Sequence, residues 1–554
     1  MSMPERPTEK AFARKASGLV RGLSFIDAFG VGFMNQGLTP SMWVMISLGL
    51  YVYSGGNLII ATLLSVLLCG VGFSLVWGIL GGSMPRSGGE YIYNSRIIHP
   101  LVGIAESFGN AFVWIMWIYV LAPWTVDPGL TMFFQFLGKP EISEALITTI
   151  DTPFGPFAIW FFVIATLVNF IALLFVVFGV KIFAKAQKVI MLLGILGCVI
   201  ILLVFTFTSH DAFVNAWNNL AAQYTSLDFN SFLSAAKSSM DEAGIALPTI
   251  WNWKDTLGVM VAGSWLFAYS YCITFIAVEV KRPDKTIILA NLSAILVPGI
   301  FMVWLAIVLY RTVGFQFLSA TAFVDENLGG ALAGYNLPWS THFVGLAAVI
   351  TQNKIIVFLM ALSFILFNLW WVALSYLAFP RILFAWGMDR MGPKWFADID
   401  FRWASPVKNH ILCFILGEIG ILLYTIYQEQ MSGLSVTGLE IVTVFGVTAL
   451  AAAIFPFSKK ARQIWDSSPY KRWKILGIPV VTIGGVVNLI YLGILFYFFL
   501  VMGLETTLSD LVKGSLGVYV GIWALGIIWY FYWKWRNKKV GMDISMTYGE
   551  LPPD

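Results

Sequence analysis

Charge is what this sequence has least of: only 12% of its 554 residues are Asp, Glu, Lys or Arg. Soluble chains carry about a quarter, so 34 basic and 30 acidic residues cannot coat the surface of several water-exposed domains. Apolar residues make up 58% and the mean hydropathy is +0.80, which places the chain in a bilayer. Histidine is scarce too. His99, His210, His342 and His410 are scattered, without metal-ligand spacing or a nucleophile partner, and no phosphate-cradling loop of the P-loop type is present, so enzyme and nucleotide-hydrolysing readings have no support. The four cysteines, Cys69, Cys198, Cys272 and Cys413, all fall inside apolar runs and predict packing, with no disulfide or metal pattern. A net charge of +4, spread in short clusters, gives no nucleic-acid footprint. The first twenty-odd residues are polar and basic without an apolar core and cleavage site, so residues 1–22 are expected to be a cytoplasmic arm and not a secretory signal.

What is present is a series of long apolar runs. A hydrocarbon core of about 30 Å needs about 20 apolar residues per helix, and twelve such runs emerge: 24–49, 57–81, 99–136, 156–180, 186–209, 257–278, 288–312, 353–385, 410–428, 438–457, 475–503 and 514–535. We number them spans one to twelve. The third and eighth are overlong and are expected to tilt or protrude. With the N-terminus inside, 28 of the 34 basic residues fall in cytoplasmic segments, and only Lys139, Lys237, Lys254, Arg311, Lys354 and Lys513 fall outside. That asymmetry satisfies the positive-inside rule in every inner loop. Two long outer loops, 210–256 and 313–352, form either interfacial helices or a lid, and their Trp217, Trp251, Trp253 and Trp339 fit an interfacial aromatic belt.

Span one carries Gly30, Gly32, Gly37 and Pro40 within eleven residues, a helix-breaking composition. An unwound stretch in lipid survives only where protein, ligand or ions satisfy its amides and carbonyls, so a broken span points to a binding site; close helix packing is the other use of such glycines. If spans one to five repeat as six to ten, a second break belongs in span six, around Trp265 to Thr274. That stretch holds no glycine or proline before Pro283, only an aromatic and hydroxyl cluster that is either a recognition surface or packed core.

Several loop motifs resemble the amino acid, polyamine and organocation (APC) superfamily of permeases. Met84-Pro85-Arg86-Ser87-Gly88-Gly89-Glu90-Tyr91-Ile92-Tyr93 is similar to its P-R-S/A-G-G-x-Y-x-Y signature. The end of span eight, from Pro380-Arg381 to Pro393-Lys394, resembles the family's S-R-x-L-Y-A-x-A-R-D-G-x-x-P-K stretch, and Val278-Glu279-Val280-Lys281-Arg282-Pro283 resembles E-E-V-K-N-P. The resemblance covers about 20 to 460. It implies an all-α polytopic membrane protein of about 12 transmembrane helices, with a leucine-transporter-like 5+5 inverted repeat plus two C-terminal helices. The repeats would occupy 23–209 and 257–457, separated by the extracytoplasmic loop 210–256 and followed by two additional helices in 458–536 and a cytoplasmic tail, 537–554.

The resemblance also implies secondary active transport by alternating access in the cell membrane, with an amino acid as the substrate. On this reading Gly30, Gly32, Phe33, Asn35 and Gly37 of span one and Phe267, Tyr269, Ser270 and Tyr271 of span six bind substrate, and Trp265 is the gate, an indole having the bulk to exclude water. No cofactor or metal is implied. The coupling ion would be H⁺ or Na⁺, with exchange without ion coupling as the other mode. An exchanger or uptake carrier for an amine or polyamine, and a non-transporting sensor of the same fold, are the alternatives.

The departures bear on substrate and coupling. The family's glycine-aromatic-acid triplet of span six corresponds to Tyr269-Ser270-Tyr271, without the glycine or the carboxylate, which disfavours a cationic substrate. Some proton-coupled members place a lysine in span five; counting from Gly179-Val180-Lys181, that position is Gly194. Protons would then be handled by Asp27, Glu106 or Asp127, or Na⁺ would bind freed carbonyls of span one beside Ser375. Glu279, Lys281 and Arg282 are expected to form a charge cluster at the inner gate, and Glu418 and Glu440 to be peripheral.

Overall fold

The computed structural model describes residues 19, 21–224, 226–431, 434–503, 515–548 and 551–552; most of the N-terminal arm and Lys513 lie outside them, as does the side chain of Glu440. Each of the twelve expected runs is helical. Span one is two helices, Phe25–Met34 and Leu38–Val52, and spans two to five are Leu58–Ser83, Pro100–Phe136, Ile159–Val177 and Val180–Thr206. Span six begins as Trp253–Phe267; spans seven to nine are Pro283–Thr312, Lys354–Met388 and Val407–Ile426. Spans ten to twelve are Leu434–Ile454, Val480–Gly503 and Ser515–Lys539. Among the described residues nine helices are long and apolar enough to cross a bilayer. The chain is thus an all-α polytopic membrane protein.

The first four spans each pack against the span five places later, in opposite sense. Gly49 of span one lies by Val259 of span six, Gly32 by Ser270 and Leu23 by Val280. In spans two and seven Gly78 meets Ile288 and Gly70 meets Leu292; in three and eight Ser107 meets Trp386 and Trp117 meets Trp371. Between spans four and nine, Thr166 Oγ1 and Asn169 Nδ2 donate to the Glu418 carboxylate at 2.8 and 2.7 Å, while Phe170 packs on Phe414. Glu418 is therefore an interhelical tie. This antiparallel pairing is what two repeats of inverted topology produce.

Glycines make the close approaches. A Cβ on Gly78 would stand 2.7 Å from Ile288 Cβ, and one on Gly417 would stand 2.7 Å from Ile118 Cγ2. Such contacts replace the hydrophobic driving force that lipid removes.

Overlong span three is not one straight rod. After Trp124 the chain passes through a wide turn, Thr125–Leu130, in which Asp127, preceding Pro128, has extended dihedrals, φ −130° and ψ 116°. Proline restricts its predecessor to this region, so the surplus length is taken up by a break. The outer loops fold as helices His210–Gln223, Phe229–Glu242, Phe315–Asn327 and Phe343–Thr351. Trp217 does not sit in a lipid-facing belt: it is fully buried against Phe232 and Phe317, joining the two loops. Trp251 and Trp253 are exposed.

Candidate functional site

The two breaks face each other. In span one the helix ends at Met34, Asn35–Gln36 turn, and Gly37 enters the left-handed region at φ +51° before Leu38 restarts the helix. Glycine adopts this conformation without the cost a Cβ brings, and a Cβ there would meet Trp371 Cε3 at 2.4 Å. Gly30 and Gly32, expected in the unwound stretch, lie inside the first helix and act through space. A Cβ on Gly30 would meet Gln187 Nε2 at 2.4 Å, and one on Gly32 would meet the Ser270 carbonyl oxygen at 2.8 Å. The unwinding is confined to 35–37.

Span six is broken without the glycine that composition would ask for. Its helix stops at Phe267, and tight 3₁₀ turns follow over Ser270–Phe275 and Ala277–Glu279. Aromatic, β-branched and serine residues are poor helix formers, and neighbours satisfy the backbone they release. Asn35 Nδ2 donates to the Tyr269 carbonyl at 2.8 Å, and Gly88 N–H donates to the Phe275 carbonyl at 3.4 Å. The Pro85–Gly89 loop is thus a splint for the second break. Gly88 and Gly89 have φ of +107° and +53°, and a Cβ on Gly88 would meet Ala385 Cβ at 2.4 Å. Gly88→Val should therefore cost at least about 1–3 kcal/mol by overpacking alone, read as a lower thermal midpoint of the purified protein.

Several polar groups at the breaks have no hydrogen-bond partner among the described residues: Asn35 Oδ1, both amide atoms of Gln36, Ser270 Oγ and the indole N–H of Trp371. All belong to fully buried residues. An unpaired polar group away from water costs about 1–3 kcal/mol, and those at the two breaks, unlike others buried elsewhere in the bundle, lie beside released backbone where a polar ligand could satisfy them. Gln36, Trp117 and Trp371 were not among the residues singled out from the sequence, and no motif marks them.

Aromatic rings close this place. Trp117 lies 4.7 Å from Trp265, 5.3 Å from Tyr269 and 4.9 Å from Trp371, centroid to centroid. Trp265 continues to Trp124 at 5.6 Å, and Trp124 to Trp43 at 5.1 Å. Trp265 therefore belongs to a stack between the breaks and the outer helices. Tyr271, its ring 6.3 Å from that of Tyr269, packs on Phe445 at 4.9 Å, and Phe33 packs edge-on against Phe367 at 6.0 Å. Phe267 is buried in the last turn of its helix. The structure thus gathers Gly32, Asn35, Gly37, Tyr269, Ser270 and Trp265, with Tyr271 beside Tyr269 and reaching spans two, three and ten, while Gly30 and Phe33 face spans five and eight.

The other face is closed by backbone and charge. Gly22 and Leu23 N–H donate to the Glu279 carbonyl at 2.8 and 3.0 Å, and Lys281 N–H donates to Leu23 O at 3.0 Å. The Glu279 carboxylate pairs with Arg381 of span eight at 2.8 Å, both side chains 2% exposed. The expected cluster of Glu279 with Lys281 and Arg282 is corrected: those two cations are exposed, and the buried partner comes from span eight.

The span-five position also changes. Gly194 abuts Phe367, and its carbonyl accepts from Ser363 Oγ at 2.7 Å. The side chain that reaches both span one and span eight is Gln187, donating to Asp27 O at 3.1 Å and accepting from Trp370 Nε1 at 3.2 Å. Of the other coupling candidates, Asp27 pairs with Lys188 at 2.7 Å, Glu106 accepts from Asn94 Nδ2 at 3.1 Å and Asp127 accepts from Thr131 Oγ1 at 2.7 Å. Ser375 is buried, its hydroxyl 3.5 Å from the Trp371 carbonyl. In the outer loop, burial raises the Asp325 carboxyl to about 6 although Thr341 donates to it.

Two facing broken helices, closed on one side by rings and on the other by an ion pair, agree with a family comparison. The amino acid permease family model matches residues 30–542. The chain belongs to the amino acid permease family. Members of this family are transporters and not enzymes, and the chain is a multi-pass membrane transporter of amino acids or related organic solutes. Its partners are accordingly a small-molecule substrate and membrane lipid. A comparison with curated proteins gave no match.

Proposed function

We propose that this permease is a secondary active transporter that moves an amino acid across the cell membrane by alternating access, with both termini cytoplasmic. The observation that carries this reading is the pair of breaks at 35–37 and 268–279, whose buried amide and hydroxyl groups, with the Trp371 indole beside them, lack partners among the described residues. The substrate's backbone groups engage the released backbone around Asn35–Gly37 and Tyr269–Ser270, and Trp265 with Trp117 shuts the outer route. Residues 23–209 and 257–457 are the two inverted repeats, joined by the loop 210–256, with additional helices in 458–536 and tail 537–554. Recognition through amides, a hydroxyl and indoles suits a zwitterionic solute better than a polycation, because neutral dipoles do not compensate a concentrated charge.

Coupling follows the junction of spans one, five and eight. Gln187 is uncharged at every accessible pH and carries no proton itself, and the ammonium on span five that reaches span one is that of Lys188, paired with Asp27 at 2.7 Å; H⁺ acting at this pair or at another carboxylate, Na⁺ and exchange are the modes to separate. A ligand at 100 times its dissociation constant stabilises a protein by about 2.7 kcal/mol, so a thermal-shift panel of amino acids, amines and polyamines tests the substrate class. The expected result is stabilisation by one or more neutral amino acids. Stabilisation by polyamines alone would overturn the reading. Uptake driven by a pH gradient alone and then by a Na⁺ gradient alone assigns the coupling ion.

A further inference from the structure

The last described residues of the chain return to the face closed by Glu279 and Arg381. A short helix, Ile544–Tyr548, follows span twelve, which is tied to the end of span eight: Trp529 Nε1 donates to Met391 O at 2.6 Å and Asn537 Nδ2 to Arg390 O at 2.8 Å. Tyr548 is buried. Its hydroxyl lies 3.0 Å from that of Tyr91, and the Arg96 guanidinium stands 4.9 Å from its ring centroid. Arg96 in turn pairs with Asp389 at 2.6 Å, both side chains fully buried, and Tyr91 donates to the same carboxylate at 2.8 Å. Four residues farther along, the Pro552 carbonyl accepts from Arg86 Nε, and Pro552 lines a small recess with Ser87, Val278, Phe384 and Met388.

These contacts bridge parts that an opening must separate. Arg96 and Asp389 belong to the short helix before span three and the end of span eight; Val278 belongs to the second half of span six, and Ser87 pairs with Ile276 beside it. We propose that the described residues 544–548 and 551–552 act as an autoinhibitory strap, clamped at Tyr548 and seated at Pro552, which holds the cytoplasmic opening shut and must lift before span six can swing away from span eight. This rests on the transporter reading for its consequence, though not for its test. A bound strap lowers the population of the open state, and its loss raises that population without altering the breaks.

The test is labelling of Val278→Cys by a membrane-impermeant maleimide in inside-out vesicles, against the same chain without that cysteine as background. Three forms are compared: the full chain, a chain ending at Asp543 and a chain ending at Tyr548. A strap predicts labelling about tenfold faster without residues 544–554, an intermediate rate for the chain ending at Tyr548, and faster labelling for Tyr548→Ala than for Tyr548→Phe, which keeps the ring on Arg96. Equal rates in the full and both shortened chains would overturn it. Size-exclusion profiles identify a shortened chain that has failed to fold, and the Tyr548 pair then decides by the same ranking. Faster labelling with no amino acid flux in any form would keep the strap and sink the transporter reading; flux with equal labelling would do the reverse.

Discussion

Gly32→Ala reduces amino acid uptake into proteoliposomes by about five- to a hundredfold, taking overpacking as about 1–3 kcal/mol and 1.4 kcal/mol per decade. The new Cβ would lie 2.8 Å from the Ser270 carbonyl oxygen and 3.1 Å from Ala294 Cβ. Neither neighbour is a flexible side-chain tip. Ser270 is the first residue of the 3₁₀ turn that replaces the helix of span six, so relief of the clash displaces the second break from the first. The Asn35 to Tyr269 hydrogen bond, at 2.8 Å, is the next contact to lengthen. Gly493→Ala supplies the control, because nothing lies within 4 Å of a Cβ there. Helix propensity favours that change by about 1 kcal/mol, and uptake should stay at the wild-type level. Equal loss in both variants would mean that helix glycines matter generally and that the contact between breaks is incidental.

Arg381→Met destabilises the purified permease by about 3–5 kcal/mol, the usual effect of leaving one partner of a buried ion pair uncompensated. Glu279 and Arg381 are each 2% exposed, and Arg381 donates to Glu279 Oε1 through both Nη2, at 2.8 Å, and Nε, at 3.3 Å. Adding Glu279→Leu removes the stranded carboxylate and should recover most of the loss, since well-packed apolar pairs often match buried ion pairs in stability. Function separates from stability here. The double variant keeps a folded protein whose span six and span eight are no longer joined by charge, so its cytoplasmic side opens more readily. Thermal midpoints of the single and double variants measure the first effect; maleimide labelling at Val278→Cys measures the second. A double variant no more stable than Arg381→Met would contradict the assignment of this pair as an isolated buried tie.

Much of this arrangement is legible in the sequence where the physics is local. Apolar run length and the distribution of basic residues mark the spans, and Gly37 is a conformational requirement that composition announces. The break in span six is not legible in that way. Its freed carbonyls are satisfied by Asn35, 234 positions away, and by Gly88 in the loop after span two, so no glycine or proline is needed at the break itself. Gly30 and Gly32 read as helix breakers because composition cannot distinguish a glycine that frees the backbone from one that makes room for a neighbour; Gln187 and Ser270 supply the neighbours.

Other differences come from counting along the chain. Gly194 and Gln187 lie on one helix, and only tertiary contacts show that the Gln187 amide reaches Asp27 and Trp370. Gln36 carries no motif, yet its buried, unpartnered amide is among the clearest marks of the site. The Arg381 partner of Glu279 was hidden because it lies 102 residues away. Trp217 shows the same limit for a loop: its indole N–H donates to Leu227 O at 3.1 Å while its ring packs on Phe317, so it holds two outer segments together.

Counterflow of a radiolabelled neutral amino acid in proteoliposomes decides whether the two facing breaks hold and pass such a substrate. The expected result is saturable exchange that is competed by the unlabelled amino acid and lost in Gly37→Val, where a side chain would combine φ +51° with a 2.4 Å approach to Trp371. No exchange across a panel of amino acids, amines and nucleobases, or exchange that survives Gly37→Val unchanged, would contradict it.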